Sequence, residues 1–198
     1  MAWGKAGSDT CSSTVTVLTT SVFTPSKNMM ALSTSFDTPS ANTLGGFRLG
    51  KTSIDTGNNY AYRSRQNFAG SENPQHTQNR IQAGIDGGDQ FTISYLYNIS
   101  NEEKLSISHT SSDGGAGNNA PQSMECVGKW VDNDQFDIYQ QYSGHSGGGT
   151  RHIASGSNLT VLGSEITPSG VKVQDGAIYY ETDTNKEFLL YNNVWTEI

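Results

Sequence analysis

Cysteine, histidine and charge are all scarce in this 198-residue sequence, and each shortage removes a class of function. The two cysteines, Cys11 and Cys126, lie far apart with no CxxC or Cys/His spacing, so neither a zinc knuckle nor a redox dithiol is indicated. What remains open is a pair of reduced thiols, with Cys126 in a strand core, or a single Cys11 to Cys126 bridge. The four histidines, His76, His109, His145 and His152, have no GxSxG elbow beside them, and no GxxxxGK[ST] phosphate loop occurs. Charged residues make up 16% of the chain and sum to -7, a field that repels phosphate backbones and anionic lipid, so nucleic acid is not expected as a partner. No stretch of about 18 apolar residues is present to span a bilayer, so membrane insertion is not expected either. The opening MAWGKAGSDT has no apolar core of a signal peptide, which disfavours ordinary secretion.

In place of charge and helix formers the chain carries Ser, Thr, Asn, Gln and 22 Gly, a balance suited to short strands and many turns. The clearest periodicity is in Asp89 to Ile99, where Phe91, Ile93, Tyr95 and Tyr97 alternate with Thr92, Ser94 and Leu96, a half-buried strand. Leu105 and Ile107 repeat the alternation in Lys104 to Thr110, and the two runs read as a hairpin. Further strands are expected at Thr14 to Thr19, Gly46 to Lys51, Asn59 to Gln66, Met124 to Val131, Gln135 to Tyr142 and Asn158 to Leu162, each bounded by turn formers. Ser26 to Ser33 is the one place where a short helical turn is admitted. The tracts Ser111 to Asn119 and Ser143 to Thr150 are too glycine-rich to bury a core and read as exposed loops. This pattern predicts an all-β, antiparallel, jelly-roll-like sandwich over residues 1–166. After the break at Thr167, Pro168, Ser169 and Gly170, residues 167–198 read as a three-stranded meander, too small to be stable alone and therefore packed on the body or on neighbouring subunits.

Chemistry is thin. With 19 acidic residues some carboxylate pair is always available, so glycosidase spacing carries no signal. Asp132, Asn133 and Asp134, and Asp86 with Asp89, offer clustered oxygens, but a turn explains the first cluster and neither has EF-hand spacing. The Asn98-Ile99-Ser100 and Asn158-Leu159-Thr160 acceptor patterns are discounted for want of a secretion signal. No catalytic residue, metal ligand or cofactor is assigned, and an enzyme is not expected. The candidate ligand-binding residues are Tyr142, His145, Arg151 and His152, which with Tyr139 gather around the second glycine-rich tract; facing outward, they would stack on and hydrogen-bond a saccharide.

The segment GAIYYETDTNKEFLLYNNVWTEI, with its paired aromatics, Asp-Thr-Asn turn and late Trp, resembles a module of virion structural proteins, above all tail-fibre and surface-attached proteins of phages and related viruses. The opening MAWGKAG and the stretch from Tyr95 to Trp130 are similar to sequences of environmental phages and archaeal viruses. The resemblance implies a virion surface protein made in the host cytoplasm without a signal peptide. It implies a homo-oligomer, often a trimer, whose partners are itself, other virion proteins, and a glycan or protein of the host surface. Two competitors stand beside it: a subunit of an extracellular filament or sheath joined by strand donation, with Thr14 to Thr19 as the donor, and a virion-associated glycan hydrolase.

Overall fold

The computed structural model describes residues 3–36, 44–67, 72–86, 88–113, 120–144, 152–164, 176–181, 184–192 and 194–198. The chain divides into two compact units, Met1–Thr167 and Pro168–Ile198. Among the described residues every regular element is a strand.

The first unit carries β1 (Gly4–Thr10), β2 (Val17–Thr19), β3 (Asn28–Ser35), β4 (Leu44–Lys51), β5 (Ser53–Ile54), β6 (Tyr60–Gln66), β7 (Asn73–Gln78), β8 (Ile81–Asp86), β9 (Gln90–Tyr97), β10 (Lys104–Ser112), β11 (Gln122–Trp130), β12 (Ile138–Ser143) and β13 (Asn158–Gly163). One antiparallel sheet runs β1-β13-β3-β9-β10-β11-β6-β7; the other runs β2-β12-β4-β5, with β8 also paired to β4. Setting aside β5 to β7 and β10 to β11 leaves sheets β1-β13-β3-β9 and β2-β12-β4-β8. In their own chain order these are strands one, eight, three, six and two, seven, four, five, the double Greek key of a jelly roll. The insertions widen one sheet: the β9–β10 hairpin continues into β11, and β6 and β7 add on beyond it.

Ser26 to Ser33 departs from the helical turn admitted above. Asn28–Ser35 is a strand between β13 and β9, because Met29, Ala31, Ser33 and Ser35 alternate inward at period two and a helical turn would scatter them. The segments Gly4–Thr10, Asn73–Gln78 and Ile81–Asp86 are strands that the sequence pattern did not mark. The first two are edge strands with little apolar alternation, and β7 carries Pro74, a residue tolerated at an edge. Within Thr14 to Thr19, Val17–Thr19 pairs with β12 and Val15 bridges Ile153, so this segment completes the chain's own second sheet.

The core forms where large side chains of one layer nest on small ones of the other. Phe47 and Tyr139 stack with ring centroids 5.2 Å apart, and Tyr60 and Trp130 lie near-parallel at 6.5 Å. Trp130 donates its indole N–H to Asp55 Oδ2 at 2.8 Å. The Tyr60 hydroxyl accepts the Leu49 N–H at 3.0 Å and lies 2.9 Å from the Leu49 and Asp55 carbonyls that can take its proton. From the smaller sheet, β8 lies over β10, β11 and β6 of the larger one. Its Ile81 sits so close to Gly128 that a Cβ there would meet Ile81 carbons at 2.8 Å. Gly45 and Gly84 likewise let β4 and β8 touch backbone to backbone, since a Cβ on Gly84 would lie 2.4 Å from the Gly45 Cα.

Both cysteines are buried free thiols; Cys11 Sγ donates to the Ala154 carbonyl at 3.0 Å, and burial pushes the Cys126 thiol up to about 12. The second unit is one antiparallel meander of β14 (Ile178–Glu181), β15 (Lys186–Tyr191) and β16 (Val194–Glu197).

Candidate interaction surface

Of the four residues singled out for ligand binding, His145 and Arg151 lie outside the described residues. Tyr142 is half-buried on β12, and its ring is already engaged: the Arg48 guanidinium lies 4.1 Å and that of Arg80 5.4 Å from the centroid. Both arginines are buried, and among the described residues their hydrogen bonds go to carbonyl and amide oxygens. Arg48 donates to the Asn79 carbonyl at 2.9 Å, and Arg80 to Asn79 Oδ1 at 3.1 Å and the Gly144 carbonyl at 3.3 Å. A saccharide stacking on Tyr142 would compete with these cations for the ring. His152 is half-buried, and its carbonyl accepts from Ser143 Oγ at 3.5 Å. Tyr139 faces the core, where burial pushes its phenol well above the ordinary range.

The cluster of Asp132 and Asp134 resolves into a bend, while the link between Asp86 and Asp89 lies partly outside the described residues. Asp132 Oδ1 accepts the Asp134 N–H at 2.8 Å, and Asp134 pairs with Lys51 at 2.9 Å. Among the described residues no group of three His, Cys, Asp or Glu side chains is placed to hold a metal ion. Lys104 is a further polar centre that the sequence pattern did not mark. Its buried ammonium donates to the carbonyls of Ile99 at 2.8 Å, of Glu102, and of Asp132 at 3.3 Å, tying the β9–β10 turn to the segment after β11. Burial draws its pKa below the ordinary lysine value, against the pull of Asp132, Asp134 and Glu102.

The most distinctive surface lies on the eight-stranded sheet. Alternation makes the two faces of β9 and β10 differ, and the hydrophobic effect alone would turn the apolar side inward. The structure does the reverse on β10: Ser106, Ser108, Thr110 and Ser112 are buried, while Leu105 and Ile107 are 56% and 54% exposed. On β9, Phe91, Tyr95 and Tyr97 face outward while Ser94 is buried. Four of the inward hydroxyls pair with one another across the strands, while Ser106 Oγ is buried without a partner among the described residues. Ser94 and Ser108 share a hydrogen bond of 2.8 Å, Thr92 and Thr110 another of 2.8 Å, and Thr110 also donates to the Ala83 carbonyl.

Register then assembles an apolar row across five strands. Leu162 on β13 faces Met30 on β3, which faces Tyr95 on β9, then Ile107 on β10, then Val127 on β11. Lys5 stands beyond one end of the row and Arg63 beyond the other. Beside it Trp3, Tyr97 and Leu105 join Tyr95 and Ile107 around a cleft of about 340 Å³. The acidic groups at the β6 and β11 side are neutralised in place, Glu125 by Arg65 at 3.1 Å and Glu103 by Lys129 at 2.8 Å.

The second unit is also rich in exposed aromatics. Tyr179 lies 6.1 Å from both Phe188 and Trp195 on one face, around the buried Leu190, and Lys186 pairs with Glu197 at 2.9 Å. Ile178, Tyr180, Tyr191 and Val194 are exposed on the other face. No protein-family model and no curated protein matches this chain.

Proposed function

We propose that this chain is a structural protein of a virion surface, a tail-fibre, spike or decoration component that mediates host attachment or virion assembly through protein or glycan contacts. The observation that supports this reading is the C-terminal unit. Its three strands expose Tyr179, Tyr180, Tyr191, Val194 and Trp195 over both faces, apolar surface that a partner would cover. Such a unit belongs in an assembly, and its sequence resembles a module of virion structural proteins. The jelly roll is in keeping with this, being an architecture shared by capsid and lectin domains, although the fold alone assigns no function.

The test is immunogold electron microscopy of virus particles from the source, with antibody raised against the purified chain. Label on the particles is the expected result, at tail tips for an attachment component and over the head for a decoration component. Unlabelled particles would overturn the reading.

A further inference from the structure

We infer that the outer face of the eight-stranded sheet, centred on Tyr95, Ile107 and Val127, is a subunit interface that a second copy of this chain covers. The inference deepens the assembly part of the proposed function and fails separately from it, since a monomeric chain can still label a virion.

Three observations carry it. The first is the inversion itself: β10 spends its inward positions on Ser106, Ser108 and Thr110 and sends Leu105 and Ile107 outward, which leaves apolar area in water unless another surface meets it. The second is area. Trp3, Phe91, Tyr95, Tyr97, Leu105, Ile107 and Val127, each between 36% and 56% exposed, together present on the order of 750 Å² of accessible surface, close to what one partner contributes to a standard interface. The third is charge, and it points to a second copy. A chain of net charge -7 repels its own copies over most of its surface. On this face the strands carry no unpaired carboxylate: Glu125 is matched by Arg65, and Glu103 at its margin by Lys129. Two copies can therefore approach here without like-charge repulsion, and a sheet face that is flat and apolar suits another sheet face of the same kind.

The experiment is size-exclusion chromatography with light scattering on the full chain, from low to high micromolar concentration, for the wild type, Tyr95→Lys with Ile107→Lys, Ile107→Thr with Val127→Thr, and Val22→Lys. Val22 is exposed in the segment between β2 and β3 and serves as the control. The expected wild-type mass is at least twice the 21.3 kDa of one chain. The Lys pair should run as a monomer, the Thr pair should raise the dissociation constant about 30-fold or more, and Val22→Lys should leave the mass unchanged. The Thr pair keeps strand-forming side chains at both positions, so it carries the test if circular dichroism shows the Lys pair unfolded. A wild type that is monomeric throughout would overturn the inference, because the face is then bare or meets a different protein. An oligomer that survives the Thr pair would also overturn it, by placing the interface elsewhere.

Discussion

Along β13 and β3 the eight-stranded sheet turns Leu159, Val161, Met29 and Ala31 inward, whereas along β10 it turns serine and threonine inward and leucine and isoleucine outward. The two regions belong to the same sheet and obey the same pleat, so the difference comes from what lies opposite. Over the inserted strands sit Ile81, Ala83 and Ile85 of β8, with Trp130 and Tyr60 filling the interior between the layers. Ile81 leaves no room for a side chain at Gly128, with Ser106, Ser108 and Cys126 buried at neighbouring inward positions, while Ser94 lies against the Tyr139 phenol. A core at crystal-like density accepts a hydroxyl that is hydrogen-bonded more readily than a methylene that does not fit. Apolar character was then free to go to the outer face, where an assembly can use it.

That contrast can be broken most sharply at the large partner. Trp130→Ala removes the ring stacked near Tyr60 and the N–H that holds Asp55. A loss of about 3–5 kcal/mol is expected, seen as a fall in Tm on the order of 10 °C by calorimetry. The next effect reverses the hydrophobic rule: Ser108→Leu, a change toward apolarity at a buried strand position, should cost about 1–3 kcal/mol in urea unfolding because it overpacks the layer and removes the hydroxyl that pairs with Ser94 across the strands. Stabilisation by Ser108→Leu would show that the serines are tolerated rather than required.

A smaller effect concerns the Asp55 carboxylate. Burial works to raise its pKa, but hydrogen bonds from the Trp130 indole, the Asn59 amide and the Gly57 N–H outweigh it, and the net shift is downward from 3.8. A folded-state pKa below the unfolded one contributes stability that is present above about pH 4 and is lost as pH falls through the folded value. Asp55→Asn should therefore make the decline of Tm below pH 4 shallower than in the wild type; parallel declines would remove Asp55 from the account. The smallest effect is next door to Ser108. Ile107→Thr, a change away from apolarity on the outer face, should alter the unfolding free energy of the separated subunit by less than about 0.5 kcal/mol. On adjacent residues of one strand, gaining apolarity inside would then cost stability while losing it outside would not.

The strands themselves were largely legible. Alternation marked β9 and β10, and turn formers bounded β4, β6, β11, β12 and β13 to within a few residues. Asn28–Ser35 was harder, because Met29, Met30 and Leu32 hide a period of two behind an unbroken apolar run. Gly4–Thr10 and Asn73–Gln78 were illegible for the opposite reason, since edge strands need little apolar alternation. Tyr142, His145, Arg151 and His152 share only their nearness to a glycine-rich tract, and proximity in sequence does not reveal that Arg48, on β4, and Arg80, just before β8, engage the Tyr142 ring. The apolar row Leu162, Met30, Tyr95, Ile107 and Val127 was equally hidden, because its members come from five strands and meet only through register.

By itself the sequence determined that this chain is built of short antiparallel strands, because a period of two and dense turn chemistry are local properties of the backbone. Which face of each strand became interior was decided only by the tertiary structure. A period of two states that the faces differ, and the volume of the opposing layer chooses between them.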